Sequence, residues 1–344
     1  MTETPRVYVI LLNWNNYDDT KRCLESLAQT SYPNLRAIVV DNGSVDGSGD
    51  RLRAAFPDVG FVQNEANLGF SRGCNEGMRE ALKDSDCAYV LLLNNDALVA
   101  PSFLESAIAR GESDKRIGLI GGKILHSPES KVIAHAGGYI TRWRGSFRIR
   151  GFGEVDRGQY DRPLEVGFAT GAMLLIKREV LEKVGLLPEE YFFGTEEQDY
   201  SLNVRRSGYK IYYVPEFVSY HVGDGSHWNW DPKFVYNGYR NKLIFQEKYL
   251  PPGLFRIWKM VFAIYARPAA VRGWKKMAKR YGYDQDHQVA YEEMEFALIC
   301  AIEDHGKNVL SEQTLNQFEE LLRNRKMSRL EEWRTTGGVG TSGS

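Results

Sequence analysis

The sequence predicts an α/β fold, a mostly parallel sheet flanked by helices and followed by a helical C-terminal extension. Short apolar runs alternate four times with segments of helical character, and the connections between them are short, which is the pattern of a doubly wound sheet. The fourth run, Tyr89 to Leu93, is apolar throughout and too short to span a membrane, so it indicates a strand buried on both faces. A chain of 344 residues is long enough to build a sizeable core around such a sheet.

Each predicted strand is an apolar run that stops at polar residues, and the first three are followed by a predicted helix. The predicted strands are Val7 to Leu12, Arg36 to Val40, Val59 to Gln63 and Tyr89 to Leu93. The predicted helices are one capped by Asp18 or Asp19 that runs to about Gln29, one that ends near Phe56, and one from Ser71 to about Lys83.

The loops that follow the strands are all rich in Asn, Asp and Gly. Since the carboxyl ends of parallel strands lie at one edge of a sheet, Asn13, Asp41, Asn67 and Asp96 should converge on one crevice. Turn formation explains any one of these loops, but it explains poorly why all four carry amides or carboxylates. The amides suit a nucleoside, and Asp96 suits Mg²⁺ or Mn²⁺ bound to a diphosphate. The alternative for Asp96 is to cap a helix that Pro101 begins.

Composition and missing motifs exclude several function classes. The chain has 44 Lys and Arg against 45 Asp and Glu, a net charge of −1, so no charge field favours nucleic acid. Neither the glycine cradle of dinucleotide enzymes nor that of P-loop NTPases occurs, so a diphosphate here would need a metal. The four cysteines form no Cys-x-x-Cys pair and the N-terminus shows no signal peptide. We therefore expect no structural zinc and a cytoplasmic location.

The chain also carries a series of short motifs in a fixed order. They are Leu11–Asn15, Val39–Ser44, Asn67–Phe70, Leu93–Asp96, Thr170–Ala172, Glu196–Asp199 and His221. Together they resemble the motifs of family 2 glycosyltransferases of the GT-A fold, in the rhamnosyltransferase-like branch. The resemblance runs to about Leu250, and it is specific for the family but not for a sugar.

The resemblance implies a nucleoside-diphosphate sugar as the donor, with its base held by Asn13 and Asp41. The residues expected in donor binding are Leu12, Asn13, Asn15, Asp41, Asn67, Arg72, Asn94, Asn95, Asp96, Gly171, Ala172 and Arg240. Asp96 matches the last residue of the family's metal-binding Asp-x-Asp motif, whose first position is Asn94 in this chain. His221 matches a histidine that contacts the metal or the diphosphate, so Asp96 and His221 are the expected ligands of Mg²⁺ or Mn²⁺.

Three carboxylates, Glu196, Glu197 and Asp199, lie at the start of another predicted helix. The helix dipole favours acidic residues in a first turn, which is an explanation without catalysis. An inverting sugar transfer, however, needs a base that takes the proton from the acceptor hydroxyl. The resemblance places that base at Glu197, with Glu196 and Asp199 as alternatives. Trp228 and Trp230 are expected to contact the acceptor, because aromatic faces suit sugar rings; core or membrane contacts are the alternative.

The C-terminal third has a strongly basic stretch. Eleven basic residues and one acidic residue lie between Arg240 and Arg280. Within it, the apolar run Leu254 to Tyr265 predicts a helix with cations along one face, which is typical of an interfacial helix on an anionic membrane. The alternative is a helix that packs on the catalytic domain. The acidic, helical segments beyond Tyr283 predict a cap or a homo-oligomer contact.

These observations predict four segments: residues 1–100 as the nucleotide-sugar-binding half and 101–235 as the acceptor-binding and catalytic half of one domain, 236–335 as a helical region, and 336–344 as a flexible tail. The predicted function is inverting, metal-dependent transfer of a hexose or deoxyhexose from a dTDP or UDP sugar to a hydroxyl of a glycan or lipid-linked acceptor. Surface polysaccharide assembly, at the inner face of the cell membrane, is the expected setting. The alternatives are a catalytically silent glycan-binding or scaffold subunit, and a sugar-1-phosphate nucleotidyltransferase.

Overall fold

A computed structural model describes residues 4–141, 146–221, 232–281, 288–307 and 311–335. The chain divides into two compact units, Met1–Gly225 and Ser226–Ser344, which are described separately below. Within the described ranges, each helix is too short or too polar to cross a membrane.

The first unit contains a large sheet, a separate hairpin and six helices along its described residues. The strands are β1 (Arg6–Asn13), β2 (Leu35–Asn42), β3 (Gly60–Asn64), β4 (Cys87–Leu93), β5 (Ala97–Val99), β6 (Ile117–Leu125), β7 (Ile133–His135), β8 (Gly138–Thr141), β9 (Ser146–Ile149), β10 (Leu164–Glu165), β11 (Met173–Lys177) and β12 (Lys210–His221). The helices are α1 (Tyr17–Leu27), α2 (Ser48–Ala55), α3 (Gly69–Leu82), α4 (Glu105–Ser113), α5 (Arg178–Val184) and α6 (Glu196–Arg206).

The large sheet has the strand order β10-β12-β6-β11-β4-β1-β2-β3, with β5 paired to β12 and β7 paired to β6. The four predicted strands, β1 to β4, are confirmed and run parallel to one another as expected. The other half of the sheet is mixed, because β11 runs antiparallel to both β4 and β6. Residues before and after position 100 therefore share one sheet.

Strand β4 is buried on both faces, as its continuous apolar run predicts. Its side chains alternate between two cores, with Leu91 and Leu93 in one and Val90 and Leu92 in the other. The first core is covered by α1, α2 and α4, and the second by α3, α5 and α6. This position fixes the end of β4 at the centre of the sheet edge.

The predicted helices are confirmed, with a correction at the start of α1. The cap is Asn16 rather than Asp18 or Asp19, since the side chain of Asn16 accepts a hydrogen bond from the backbone N–H of Asp19. The two aspartates lie inside the first turn, where the helix dipole favours negative charge. Pro101 also begins no helix, because α4 begins at Glu105.

The second unit is helical over its described residues. Its helices are α7 (Pro232–Tyr249), α8 (Pro252–Tyr281), α9 (Gln288–Asp304) and α10 (Glu312–Thr335). Its core includes Leu243 from α7, Leu298 from α9 and Phe318 from α10, all buried. The helical segments predicted around Leu254 to Tyr265 and beyond Tyr283 are confirmed.

Candidate active site

A buried network of hydrogen bonds joins the carboxyl ends of β1, β2 and β4. The amide nitrogen of Asn13 donates to Asp41 at 2.8 Å, and its oxygen accepts from the hydroxyl of Thr20 at 2.9 Å. The same hydroxyl accepts from Asn95 at 2.8 Å. Asn13 and Asp41 are almost completely buried. The predicted convergence of these strand ends is therefore confirmed, with Thr20 of α1 as the link between them.

Asp41 is held ionised by its surroundings. Burial raises the pKa of this carboxyl, but hydrogen bonds from Ser44, Asn13 and Gln63 outweigh that effect, so its pKa lies below the ordinary range. Gln63, the donor from β3, lies 2.7 Å away. A fixed carboxylate at the end of β2 is a suitable acceptor for donor groups of a base or ribose.

The loop after β1 is tied to the loop after β2. Asn15 has a positive φ of 51°, a left-handed conformation that Asn tolerates better than most residues. Its backbone N–H donates to the Ser44 hydroxyl at 2.9 Å, and its side-chain oxygen accepts from the backbone of Val45 at 2.8 Å. Leu12, one residue before the buried Asn13, is half-buried. These bonds fix the position of both loops at the sheet edge.

Asn67 belongs to a second group of amides beside the first. Its oxygen accepts from Asn42 at 2.9 Å and from the backbone N–H of Gly69 at 2.9 Å. Arg72, further along α3, is half-exposed and lies 3.8 Å from the carboxylate of Glu189. Asn67 therefore lies beside the β2 end, while Arg72 is oriented toward Glu189.

The end of β4 meets the end of β12. Strand β5 pairs antiparallel with β12 so that Ala97 lies opposite His221, which brings the imidazole beside Asp96. The Oδ1 atom of Asp96 is 3.2 Å from Nε2 of His221, and Nδ2 of Asn94 is 2.9 Å from the same nitrogen. The two expected metal ligands are therefore neighbours, although Asp96 and His221 are 125 positions apart in the chain.

The chemistry of this pair fits a divalent cation. Nε2 of His221 faces both the Asn94 side chain and the Asp96 carboxylate, so an imidazole nitrogen and a carboxylate oxygen, both common metal ligands, lie side by side. The buried Oδ1 of Asp96 has no hydrogen-bond partner among the described residues, and burial raises the pKa of its carboxyl despite the nearby imidazole. Across the described ranges, His, Cys, Asp and Glu form no metal-binding group of three or more. Two protein ligands suit Mg²⁺ or Mn²⁺ that takes its other oxygens from water and phosphate.

Two glycines allow close approach of segments around this site. Gly69 has a φ of 79°, and a Cβ atom there would lie 2.3 Å from the carbonyl oxygen of Phe192. That oxygen accepts a hydrogen bond from the backbone N–H of Phe70. A Cβ on Gly171 would lie 2.9 Å from the Phe70 ring. The Asn67–Phe70 loop is therefore packed between the turn at Thr170–Ala172, called here the Gly171 turn, and the segment around Phe192 that leads into α6.

The Gly171 turn also contacts the end of β4. The backbone N–H of Asn94 donates to the carbonyl of Ala172 at 3.0 Å, and Met173 is then paired with Leu93 as β11 begins. Ala172 thus lies beside Asn94, whose side chain contacts His221. The sequence motifs imply this neighbourhood for a donor sugar.

The three acidic residues of α6 differ in their surroundings. Asp199 is buried and accepts from Tyr191 at 2.8 Å and from Asn203 at 3.0 Å. Glu196 is also buried, whereas Glu197 is only partly buried. Oε2 of Glu197 has no hydrogen-bond partner among the described residues. That oxygen is itself buried, as is the equally unpartnered Oε2 of Glu196, so what distinguishes Glu197 is the partial exposure of the rest of its side chain.

Burial raises the pKa of both glutamates. For Glu196 desolvation is the main cause and the negative charge of Glu197 adds to it. For Glu197 desolvation outweighs the hydrogen bonds from its own backbone N–H and from Gln198. A carboxylate with a raised pKa is a stronger base near neutral pH than an exposed one.

Three predicted site residues are not among the described residues of the first unit. Trp228 and Trp230 fall outside the described residues. Arg240 lies in the second unit, buried in α7, where it donates to the hydroxyl of Tyr236 at 3.1 Å. Its proposed contact with the donor remains a prediction.

Comparison with known proteins identifies the family. The model of the family described as "Glycosyl transferase family 2" matches residues 8–185. The chain belongs to this family. The match confirms the predicted enzyme class, a glycosyltransferase, and covers the ends of β1, β2, β3 and β4 together with the Gly171 turn.

Curated relatives of this glycosyltransferase are similar at low identity. An N-acetylglucosaminyl-diphospho-decaprenol L-rhamnosyltransferase of Mycobacterium tuberculosis (strain ATCC 25618 / H37Rv) is 23% identical over 224 residues, which are 60% of this chain and 73% of that protein. The galactofuranosyltransferase GlfT2 of Mycolicibacterium smegmatis is 26% identical over 189 residues, 51% of this chain. The chain spans only 28% of the length of that galactofuranosyltransferase.

Solved structures confirm the GT-A type of fold. A mannosyltransferase from Pyrobaculum calidifontis, in complex with GDP-Man and Mn²⁺, superposes with a TM-score of 0.53 at 19% identity and covers 88% of each chain. GalNAc-T7 with UDP, GalNAc and Mn²⁺ gives a TM-score of 0.51 at 16% identity, over 63% of this chain and 43% of that one. At these identities the likeness establishes the fold alone.

Sequence reasoning missed three residues that organise the site. Thr20 bridges Asn13 and Asn95, Gln63 donates to Asp41, and Asn42 donates to Asn67. Gln63 and Asn42 each lie at the carboxyl end of a predicted strand, which was an available signal. Thr20 gives no such signal, because its role depends on how α1 packs on the sheet.

Proposed function

We propose that this family 2 glycosyltransferase is an inverting, metal-dependent enzyme that transfers a hexose or deoxyhexose from a nucleoside-diphosphate sugar to an acceptor hydroxyl. The observation that carries the proposal is the Asp96 carboxylate, with its Oδ1 buried, beside His221 at the central sheet edge. The Gly171 turn and the segment leading into α6 lie around the same edge. Groups for the leaving diphosphate and for proton removal are therefore supplied by one unit.

The donor would lie across the carboxyl ends of β1, β2 and β4. Asp41 would accept hydrogen bonds from the nucleoside, and Asn13 would hold that carboxylate in place, because its own polar atoms are already bonded within the protein. The diphosphate would lie near Asp96 and His221. Mg²⁺ or Mn²⁺ bound by these two residues would supply charge neutralisation to the leaving group.

Glu197 would act as the base. The acceptor hydroxyl attacks the anomeric carbon from the face opposite the diphosphate, its proton passes to Glu197, and the bond from the sugar to the diphosphate breaks. Asp199 is less suited, because it already accepts two hydrogen bonds in the interior. Glu196 is less suited because it is almost fully buried. One displacement on one face inverts the anomeric configuration.

Relatives guide the choice of donor and acceptor. One is a rhamnosyltransferase whose name specifies a decaprenol diphosphate acceptor, and another is a hexosyltransferase of low-salt glycan biosynthesis from Haloferax volcanii. We therefore propose a glycan or lipid-linked hydroxyl as the acceptor, and a dTDP or UDP sugar as the donor, in keeping with the resemblance of the motifs to the rhamnosyltransferase-like branch. The product would belong to a surface polysaccharide.

A thermal-shift screen of UDP, dTDP and GDP sugars with and without Mn²⁺ tests the donor, since a ligand that binds only the folded chain raises its melting temperature. Turnover is then measured as hydrolysis or transfer, with nuclear magnetic resonance of the product to read the anomeric configuration. Glu197→Gln should retain metal-dependent donor binding and lose transfer. Asp96→Asn should lose the metal dependence of binding.

Two outcomes would overturn the proposal. Wild-type turnover that survives both Asp96→Ala and Glu197→Ala would rule out the mechanism. Binding of a plain oligosaccharide without any nucleotide would instead favour a glycan-binding subunit.

A further inference from the structure

Helix α8 has a second apolar face that the described protein leaves uncovered. One side packs in the second unit, where Phe255 and Ala266 are buried. The ring centroids of Phe255 and His305 lie 5.7 Å apart. On the other side, five large apolar residues recur at steps of one, three and four and are between 44% and 64% exposed. They are Ile257, Met260, Val261, Ile264 and Tyr265. A helix with apolar residues on two faces normally has a partner on both.

The charges on the same helix are all of one sign. The 30 residues of α8 include eight Lys and Arg and neither Asp nor Glu. Arg256, Arg272 and Lys275 are exposed. The steps from Tyr265 through Pro268 to Arg272 and Lys275 are three, four and three residues, so these two cations continue the exposed apolar face toward the C-terminus.

We propose that this face of α8, defined by the five exposed apolar residues with Arg272 and Lys275, binds the surface of an anionic lipid bilayer. An apolar stripe enters the boundary between headgroups and acyl chains, while cations beside it pair with anionic headgroups. The helix lies in the plane of the surface. The inference does not depend on the proposed sugar transfer, but it places the enzyme where a lipid-linked acceptor is found.

The positive charge of this face of α8 favours an anionic bilayer over a second copy of this chain as its binding partner. In a symmetric dimer the same patch occurs on both partners, and because α8 has neither Asp nor Glu, a second copy of this face offers its cations no opposite charge on that helix. Like charges brought together at an apolar contact oppose association. An anionic bilayer offers both an apolar phase and negative charge to the same face.

Vesicle sedimentation tests the inference with the full chain. We expect the wild type to sediment with vesicles of phosphatidylglycerol and phosphatidylcholine in equal parts, to remain in solution with phosphatidylcholine alone, and to be released by added salt. Met260→Gln with Ile264→Gln should weaken binding to the anionic vesicles by roughly tenfold or more, since each buried apolar group contributes to partition. Arg272→Gln with Lys275→Gln should weaken it by roughly tenfold as well. Leu321→Gln, an equally exposed leucine on α10, is the matched control and should bind as the wild type does.

Circular dichroism and melting temperature show whether each variant is folded, and the substituted side chains are exposed, so both should be unchanged. Failure of the wild type to bind the anionic vesicles, or binding that both double variants retain in full, would overturn the inference. So would a wild-type dimer in size-exclusion chromatography that Ile264→Gln dissociates, because a second copy would then be the occupant.

Discussion

Replacing Glu197 with Gln should raise the stability of the protein while it removes activity. Glu197 carries a carboxylate whose Oε2 finds no partner among the described residues, beside a second buried glutamate. A negative charge on Glu197 in these surroundings lowers the free energy of unfolding. The same charge is what allows Glu197 to act as a base. An amide of the same shape removes the charge and therefore that cost.

The magnitude follows from the pKa of this carboxyl, which burial raises from the ordinary 4.5 to about 7. At about 1.4 kcal/mol per pKa unit, the ionised group lowers the free energy of unfolding by up to about 3 kcal/mol. The folded state binds more protons than the unfolded state between these two pKa values, so the wild type loses stability as the pH rises through that window. The advantage of the Gln variant is therefore absent near pH 4.5 and complete near pH 8.

Melting temperatures of the metal-free proteins measure this effect. The melting temperature of the variant should equal that of the wild type at pH 4.5. At pH 8 it should be higher than that of the wild type by up to roughly 6 to 12 °C. Glu25→Gln on α1 is the control, because that carboxylate is exposed and its replacement should have little effect at either pH. An advantage that is equal at both pH values, or a variant that melts below the wild type at pH 8, would refute the argument.

Turnover measurements test the role of Glu197 as the base. Loss of a general base lowers kcat by about 10²- to 10⁴-fold. The wild-type rate should fall as the pH drops below about 7, because Glu197 is then protonated. A rate that stays constant down to pH 5 would show that another group takes the proton.

The remaining predictions concern the donor side of the site. Asp96→Asn should weaken Mn²⁺ binding in the presence of a nucleoside diphosphate by at least roughly tenfold in calorimetry, because it removes the charged ligand; unchanged affinity would place the metal elsewhere. Gly69→Ala should lower the free energy of unfolding by about 2 kcal/mol or more, since the new Cβ would meet the carbonyl oxygen of Phe192 at 2.3 Å; a melting temperature equal to that of the wild type would contradict this. Asn13→Ala should cost about 2 to 4 kcal/mol and raise the pKa of Asp41, as it removes a buried donor to that carboxylate; chemical denaturation and carboxyl titration by nuclear magnetic resonance measure the two effects.

The parallel half of the fold and its polar edge followed from local pattern. The apolar run of β4 between polar loops indicates burial on both faces whatever surrounds it, and parallel strands bring Asn13 to Asp41. Local pattern does not identify the α1 cap, because the segment from Asn15 to Asp19 offers several capping residues in a row. Only the structure shows that the Asn16 side chain accepts from the backbone of Asp19.

The pairing of Asp96 with His221 lies beyond local pattern. It depends on β5, a strand of three residues, running antiparallel to the last residues of β12. A three-residue run carries too little periodicity to reveal a strand. The sequence motifs suggested both ligands, but their contact depends on a long-range pairing. The same holds for Glu197, since all three acids occupy one helical turn and only their different burial separates them.

The placement of β4 between β1 and β11 has a consequence for how the enzyme moves. Hydrogen-bonded ladders join β4, the strand that leads to Asp96, to β1 on one side and to the strand that follows the Gly171 turn on the other, so the two halves of the sheet cannot separate without breaking these bonds. Opening and closing around a substrate then falls to the connecting loops alone. In hydrogen–deuterium exchange the amides of β1, β4 and β11 should be the last to exchange, with or without ligand.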